Sequence, residues 1–189
     1  MKGYLRKDGR KGIRNIVVVA YLVECAHHVA AHIAQHFAQL PTPTNVHLIG
    51  FSGCAPNDYA EHMMQQLCTH PNVGAVLLVS LGCENFQRDR LLRDIRQSGR
   101  EAQLIVIQDE GGTQPSIDKG IDAVSTLLRK IADTPQADID WSELVVGTVC
   151  GGSDGYSGIT ANPSVGATFD WLVDHGATCI FEEPGELIG

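Results

Sequence analysis

Short apolar runs alternate with longer segments of helical periodicity along nearly the whole chain, and this alternation restricts the fold more than any other feature. Six runs rich in β-branched residues predict strands, at residues 15–22, 45–51, 74–81, 102–107, 143–149 and 177–182. The segments between them predict helices, at residues 25–39, 56–69, 85–98, 114–132 and 163–175. Strands that alternate with helices are typical of a parallel sheet.

Three of the strand segments are apolar almost without interruption. VVVAYLV, VLLVSLG and LVVGTVC do not alternate apolar with polar residues, as expected for strands that helices cover on both faces. The sequence therefore predicts an α/β fold, a three-layer αβα sandwich with a mainly parallel, doubly wound sheet of about six strands. No linker, repeat or low-complexity tract interrupts residues 1–189, so we predict a single domain.

Charge and hydropathy argue against two classes of partner. The formal net charge is -8, and the 14 Lys and Arg residues form no patch beyond the amino-terminal KGYLRKDGRKGIR, which disfavours nucleic-acid binding. The longest apolar stretch, residues 16–23, is too short to cross a bilayer, and no signal-like leader is recognisable. We expect a cytoplasmic protein without nucleic-acid or membrane partners.

Four of the six cysteines follow predicted strands directly: Cys25, Cys54, Cys83 and Cys150. Parallel strands end at one edge of a sheet, where open α/β proteins bind ligands, so we expect these thiols to converge. Thiolates suit a soft or borderline metal, and iron is compatible either as mononuclear Fe²⁺ or as an iron-sulfur cluster. Cys54, Cys83 and Cys150 are the candidate metal ligands, with Cys25 as an additional candidate. The alternative is that small residues serve tight strand-to-helix turns.

A glycine-rich segment, CGGSDGYSGITANP, follows the fifth predicted strand. Glycines expose backbone amides that can bind an anion, so we predict that Gly151, Gly152 and Ser153 bind substrate. Asp154 lies in the same segment and is a candidate catalytic acid or base. The alternative is a glycine-rich connection without a ligand.

Further candidates flank the first and third predicted strands. Glu84 directly follows Cys83 and is the second candidate catalytic residue, although many such acids are solvated loop charges. Arg14 and Asn15 precede the first strand and can bind a carboxylate or another oxyanion. They stand at the end of that strand opposite to the cysteines, so surface charges or contacts to another domain are equally open.

Several segments, taken together and in order, carry a family resemblance. They are GYLRKDGRKGIRN, the turn at Cys25, SGC at 52–54, HPNVGAVLLVSLGCE, IQDEGGT and CGGSDGYSGITANP. This series resembles the altronate and galactarate dehydratase family over nearly the whole chain. The resemblance implies an iron-dependent lyase that removes water from a sugar acid. A branch of the family, the large subunit of sulfolactate sulfo-lyase, removes sulfite instead.

The resemblance also implies an architecture. Family dehydratases carry a small amino-terminal SAF domain and a large carboxy-terminal region, and neither is recognisable in this sequence. We therefore expect residues 1–189 to be the amino-terminal part of a longer chain that needs the remainder for activity. A separate SAF-domain subunit and a homo-oligomeric assembly are further expectations.

The functional hypothesis is elimination of water or sulfite from a 2-hydroxy acid by metal-assisted abstraction of the α-proton. In it, the amides of the glycine-rich segment hold an oxyanion. Two alternatives stay open: a non-catalytic anion-binding module, and a nucleotide-binding domain of the flavodoxin type. The second lacks a phosphate fingerprint in this sequence.

Overall fold

The computed structural model describes residues 1–42, 44–149, 151–152 and 154–182. The chain separates into two compact units, one of residues 2–137 and one of Met1 with residues 138–189.

The strands of the amino-terminal unit are β1 (Lys2–Leu5), β2 (Lys11–Gly12), β3 (Ile16–Tyr21), β4 (Val46–Gly50), β5 (Val73–Ser80) and β6 (Glu101–Val106). Its helices are α1 (Glu24–Ala38), α2 (Asp58–Cys68), α3 (Arg88–Gln97) and α4 (Thr113–Ile131). Those from β3 onward lie close to their predicted bounds, because each contains a complete apolar run or a complete helical stripe.

Four strands form a parallel sheet in the order β4-β3-β5-β6. Every residue of β5 is buried, which matches its uninterrupted apolar sequence. Side chains from α1 and α4 pack on one face of this sheet, whereas side chains from α2 and α3 pack on the other. The predicted three-layer αβα architecture is confirmed.

The strand order places a topological switch point between β3 and β5. After β3 the chain passes to β4 on one side, and it later returns to β5 on the other side. At such a point the loops at the carboxyl ends of the two central strands separate and leave a crevice, where open α/β proteins bind ligands.

A small second sheet was not predicted. It has the order β2-β1-β7, in which β1 and β2 are antiparallel and β7 spans Gln136–Asp138. These strands have two to four residues each and carry no apolar run, so periodicity gives no signal for them.

The second unit contains a 3₁₀ turn (Trp141–Glu143), β8 (Val145–Thr148), α5 (Ala161–Asp174) and β9 (Thr178–Phe181). In the part of the chain that the structure describes, β8 and β9 pair in parallel as a separate two-stranded sheet. The six predicted strands are therefore present, but the main sheet has four of them. Val145 is 65% exposed and Ile180 is 51% exposed, so these two strands are not covered on both faces.

Aromatic contacts hold this second unit together. The ring centroids of Trp141 and Trp171 are 5.0 Å apart, and those of Phe169 and Phe181 are 6.2 Å apart. Among the described residues, no helix is long and apolar enough to span a membrane.

Candidate functional site

Three of the predicted cysteines lie at the carboxyl edge of the four-stranded sheet. Cys25 is in the first turn of α1, directly after β3, while Cys54 follows β4 and Cys83 follows β5. All three thiols are free and exposed. By contrast, Cys68 is buried in α2, and burial raises the pKa of its thiol to about 12.

The loops that carry Cys54 and Cys83 are in direct contact. The backbone amide of Asn85 donates a hydrogen bond of 2.9 Å to the carbonyl oxygen of Cys54. The rings of Phe51 and Phe86, which flank these loops, have centroids 6.0 Å apart. Since β4 and β5 lie on opposite sides of β3, the loop after β4 crosses the carboxyl end of β3 to make this contact. The two cysteines thus belong to one structural feature above the switch point.

The donors at this edge are thiols, the type of ligand that iron and other soft or borderline metals accept. Exposed thiols on two loops in contact are soft ligands, and Cys25 follows the strand between them. Among the described residues, no group of three His, Cys, Asp or Glu side chains stands close enough to hold a metal ion. Cys150 and Ser153, predicted as a metal ligand and a substrate ligand, lie outside the described residues.

A hydrogen-bonded chain encloses the turn that carries Cys83. The Ser80 hydroxyl, fully buried at the end of β5, donates to one carboxylate oxygen of Glu84. The Gly82 amide donates to the other oxygen at 2.8 Å, and Arg88 Nη1 donates to Ser80 Oγ at 3.0 Å. Burial raises the pKa of Glu84, but the hydrogen bonds from Ser80 and Gly82, with the charge of Arg88, outweigh it and lower the pKa below its ordinary value. Glu84 is therefore ionised at neutral pH.

Sequence reasoning missed the partners of Glu84. Ser80 carried a usable signal, because it is the one hydroxyl within the buried run VGAVLLVS, and a buried hydroxyl needs a hydrogen-bond partner. Gly82 is also required, because its φ is +127° and a Cβ there would stand 2.5 Å from Gln108 Oε1.

Arg14 and Asn15 lie at the amino-terminal end of β3, away from the cysteine edge. Arg14 is exposed. The Asn15 side chain accepts a hydrogen bond from Arg6 Nη1 at 2.7 Å and donates to the Ile131 carbonyl at 2.7 Å. Asn15 therefore ties the amino-terminal segment to the end of α4, and its contacts are structural. The role of Arg14 and Asn15 in substrate binding stays a prediction.

The basic amino-terminal segment serves mainly as a scaffold for the loop before β5. Arg6 is 6% exposed and Arg100 is 4% exposed. Together with Arg10, these arginines donate hydrogen bonds to four backbone carbonyl oxygens. Arg10 donates to Thr69 at 2.7 Å and Arg6 to Pro71 at 2.6 Å. Arg100 donates to His70 at 3.2 Å and to Val73 at 3.1 Å. Arg6 and Arg10 of the amino-terminal segment thus share the loop before β5 with Arg100, and the three side chains hold its backbone in place.

Asp8 completes this scaffold. Its carboxylate accepts hydrogen bonds from Arg10 Nη2 at 2.8 Å and from Arg100 Nη1 at 2.9 Å. Burial raises the pKa of Asp8, but the hydrogen bonds from the two guanidinium groups outweigh it and hold the pKa at about 2.

In the glycine-rich loop of the second unit, Gly151, Gly152 and Asp154 are exposed. A Cβ added at Gly151 or Gly152 would meet no neighbouring atom within 4 Å, so open space surrounds both residues. Asp154 Oδ1 accepts hydrogen bonds from the amides of Tyr156 at 2.7 Å and Ser157 at 3.1 Å. This Asx-type turn fixes the carboxylate of Asp154 while leaving the side chain exposed.

A separate groove of about 280 Å³ lies between α2 and α3. Its lining is mostly polar and includes Glu61, His62, Arg90 and Asp94. Neither Cys54 nor Cys83 lines it, although Phe86, which flanks the Cys83 loop, does.

Comparison with known proteins identifies the family. The sequence model described as "D-galactarate dehydratase/Altronate hydrolase, second domain" matches residues 3–132. This chain belongs to the galactarate dehydratase/altronate hydrolase family. A second model of the family, "D-galactarate/Altronate dehydratase, C-terminal", matches residues 141–189. The two matches fall on the two compact units.

Three relatives illustrate the functions found within this family. Altronate dehydratase of Bacillus subtilis is 31% identical over 100% of the chain and 39% of that protein. Galactarate dehydratase (L-threo-forming) of Escherichia coli is 34% identical over 98% of the chain and 39% of that protein. The (2R)-sulfolactate sulfo-lyase subunit beta of Chromohalobacter salexigens is 31% identical over 99% of the chain and 47% of that protein.

The names of these relatives all describe lyases, so lyase activity characterises the family. The chain spans less than half the length of the relatives it matches, and it aligns over almost all of its own length.

Proposed function

We propose that this chain is the part of a lyase that holds iron and helps to eliminate water or sulfite from a 2-hydroxy acid. The observation that carries the proposal is the backbone hydrogen bond between Asn85 and Cys54, because it joins the two loops that carry exposed thiols at a switch point of a dehydratase-family domain.

Iron is proposed to bind through the thiolates of Cys54 and Cys83. Cys25 follows the strand that lies between theirs, and the sequence adds Cys150 as a further candidate ligand. When bound, iron supplies a Lewis acid that stabilises negative charge on the substrate as the α-proton leaves.

The reaction also requires a group that accepts the α-proton and hydrogen-bond donors that bind the substrate carboxylate. In the elimination, C2 loses its proton and C3 loses hydroxide or sulfite, which leaves an enol that becomes a 2-oxo acid. Asp154 is exposed and fixed by two backbone amides, so it is available to move this proton. The exposed loop at Gly151 and Gly152 offers backbone amides to a carboxylate.

The proposed substrates are those named for the relatives: altronate, galactarate or sulfolactate. All three are 2-hydroxy acids, so one arrangement of metal and acceptor can serve each of them. We propose that the chain works with additional protein, either the rest of a longer chain or a separate small subunit. A relative that is itself called subunit beta supports the second arrangement.

The test is an assay of the complete native protein with each acid in turn. Formation of a 2-oxo acid from altronate or galactarate, or of sulfite from sulfolactate, supports the proposal. A Cys83→Ser variant is expected to lose activity, whereas Cys68→Ala, which changes a cysteine of the core, is expected to keep it. Absence of product from all three acids, with iron bound, would contradict the proposed substrates.

A further inference from the structure

We propose that Glu84 is a positioning residue that fixes the Cys83 turn, and that it is not the group that moves the substrate proton. This inference rests on the proposed function, because it assigns Cys83 a role in the site. It depends on the hydrogen bonds around the turn.

Both carboxylate oxygens of Glu84 are engaged within its own turn. Oε1 accepts from the Ser80 hydroxyl, and Oε2 accepts from the Gly82 amide at 2.8 Å. Cys83 lies between Gly82 and Glu84, so the carboxylate closes a short ring around the residue that carries the thiol. A side chain held in this way restricts the backbone at Cys83.

The anchor of this ring is rigid. Ser80 is fully buried at the end of the central strand β5, and its hydroxyl also accepts from Arg88 Nη1 at 3.0 Å. Arg88 is the first residue of α3. The chain of hydrogen bonds therefore links the end of the strand, the turn and the start of the helix.

The same ring supports the contact with the second cysteine loop. Asn85 follows Glu84 directly, and its amide donates to the Cys54 carbonyl at 2.9 Å. Fixing residues 82–85 therefore also fixes the backbone contact between the Cys83 loop and the Cys54 loop. In metal sites, groups of this kind set the orientation of ligands without touching the metal.

The geometry disfavours Glu84 as a general base. A base must direct an oxygen at the proton that it removes, and both oxygens of Glu84 already accept hydrogen bonds from the protein. Asp154, by contrast, uses one oxygen for its turn and is exposed. The two acidic candidates therefore have different roles.

The first experiment measures amide hydrogen exchange in the metal-free protein. Glu84→Ala removes the carboxylate, and Ser80→Ala keeps the carboxylate but removes its anchor. Both variants are expected to speed exchange at Gly82 and Asn85 by about tenfold. The matched control is Glu110→Ala, which removes an acid from another loop at the same edge, where it pairs with Lys119. Exchange at Gly82 and Asn85 that stays at the wild-type rate in Ser80→Ala would overturn the proposal. If Glu84→Ala does not fold, Ser80→Ala by itself tests the proposal.

The second experiment separates positioning from proton transfer. The protein is titrated with Co²⁺, and the thiolate-to-cobalt charge-transfer absorption is followed. Positioning predicts that Glu84→Ala and Ser80→Ala each weaken Co²⁺ binding about 10- to 100-fold, and that the double variant loses no more than Glu84→Ala alone. A general base predicts unchanged Co²⁺ affinity in Glu84→Ala, which would overturn the inference. If the wild-type protein shows no thiolate absorption, the proposed metal role fails, and the exchange experiment still decides whether Glu84 positions the turn.

Discussion

The backbone amide of Asn85 lies 2.9 Å from the carbonyl oxygen of Cys54 and donates a hydrogen bond to it. This contact joins loops that follow strands on opposite sides of β3. It makes the Cys54 and Cys83 loops a single unit above the switch point of the sheet, and it is the geometric basis for the proposed site.

The first prediction concerns thiol reactivity. Iodoacetamide is expected to modify Cys25, Cys54 and Cys83 in the folded, metal-free protein, because all three are exposed. Cys68 is expected to stay unmodified until the protein unfolds, since it is buried and its thiol pKa is raised to about 12. Mass spectrometry of the digested protein measures each site, and rapid native modification of Cys68 would show that α2 packs less tightly than described.

Gly82→Ala is predicted to destabilise the protein more than Gly111→Ala. Both residues have positive φ, at +127° and +84°, but only a Cβ at position 82 meets another atom, Gln108 Oε1 at 2.5 Å. Gly111→Ala is expected to cost about 1 to 2 kcal/mol through backbone strain, and Gly82→Ala is expected to cost more, because the Gln108 side chain must also move. Urea unfolding measures both, and equal losses would show that Gln108 moves aside without cost.

Asn15→Ala is predicted to lower the unfolding free energy by about 1 to 3 kcal/mol, because it removes one hydrogen-bond partner of the buried Arg6 guanidinium. Arg14→Ala, at the exposed neighbouring residue, is expected to change it by less than about 0.5 kcal/mol. Substrate binding by these residues instead predicts a raised KM with unchanged stability, so thermal unfolding and steady-state kinetics together distinguish the two roles.

Stability is predicted to depend on the ionisation of Asp8. Its pKa in the folded protein, about 2, lies below the ordinary value, so the unfolded chain takes up the proton first. The stabilisation is complete above the ordinary pKa and is lost as the pH falls from about 4 to about 2.

Asp8→Asn is therefore expected to be less stable than wild type at neutral pH and to approach it in acid. Chemical denaturation at a series of pH values measures this difference. A stability gap that is the same at about pH 2.5 and about pH 7, in the range set by these pKa values, would refute the role of the Asp8 carboxylate.

The sequence alone predicted most of the fold because its strongest signals are local. The β5 run is apolar up to Ser80 and all of it is buried, so its length and burial could be inferred directly. The β1–β2–β7 sheet gave no such signal, since its residues are few and polar. The pairing of β8 with β9 in a two-stranded sheet of their own could not be inferred, because hydrophobic runs predict strands but not which strands pair.

The candidate site was predicted in part. The strand ends placed Cys54 and Cys83 at one edge because parallel strands share a direction. The hydrogen bond from Asn85 to Cys54 depends on how the loops after β4 and β5 meet beyond the carboxyl end of β3, and the sequence could not show this. Oxyanion binding by Arg14 and Asn15 stays a prediction. The neighbouring Arg6 and Arg10 donate to backbone carbonyls that are distant along the chain, and only the tertiary structure reveals these partners.

The measurement that tests the central claim most directly is the iron content of the complete native protein, purified without oxygen, for wild type and for the Cys54→Ser and Cys83→Ser variants. The account predicts iron in proportion to protein in the wild type and a large loss in each variant, while Cys68→Ala keeps its iron. Acid-labile sulfide measured in the same samples separates a cluster from a single ion. Full iron content in both the Cys54→Ser and the Cys83→Ser variants would contradict the account.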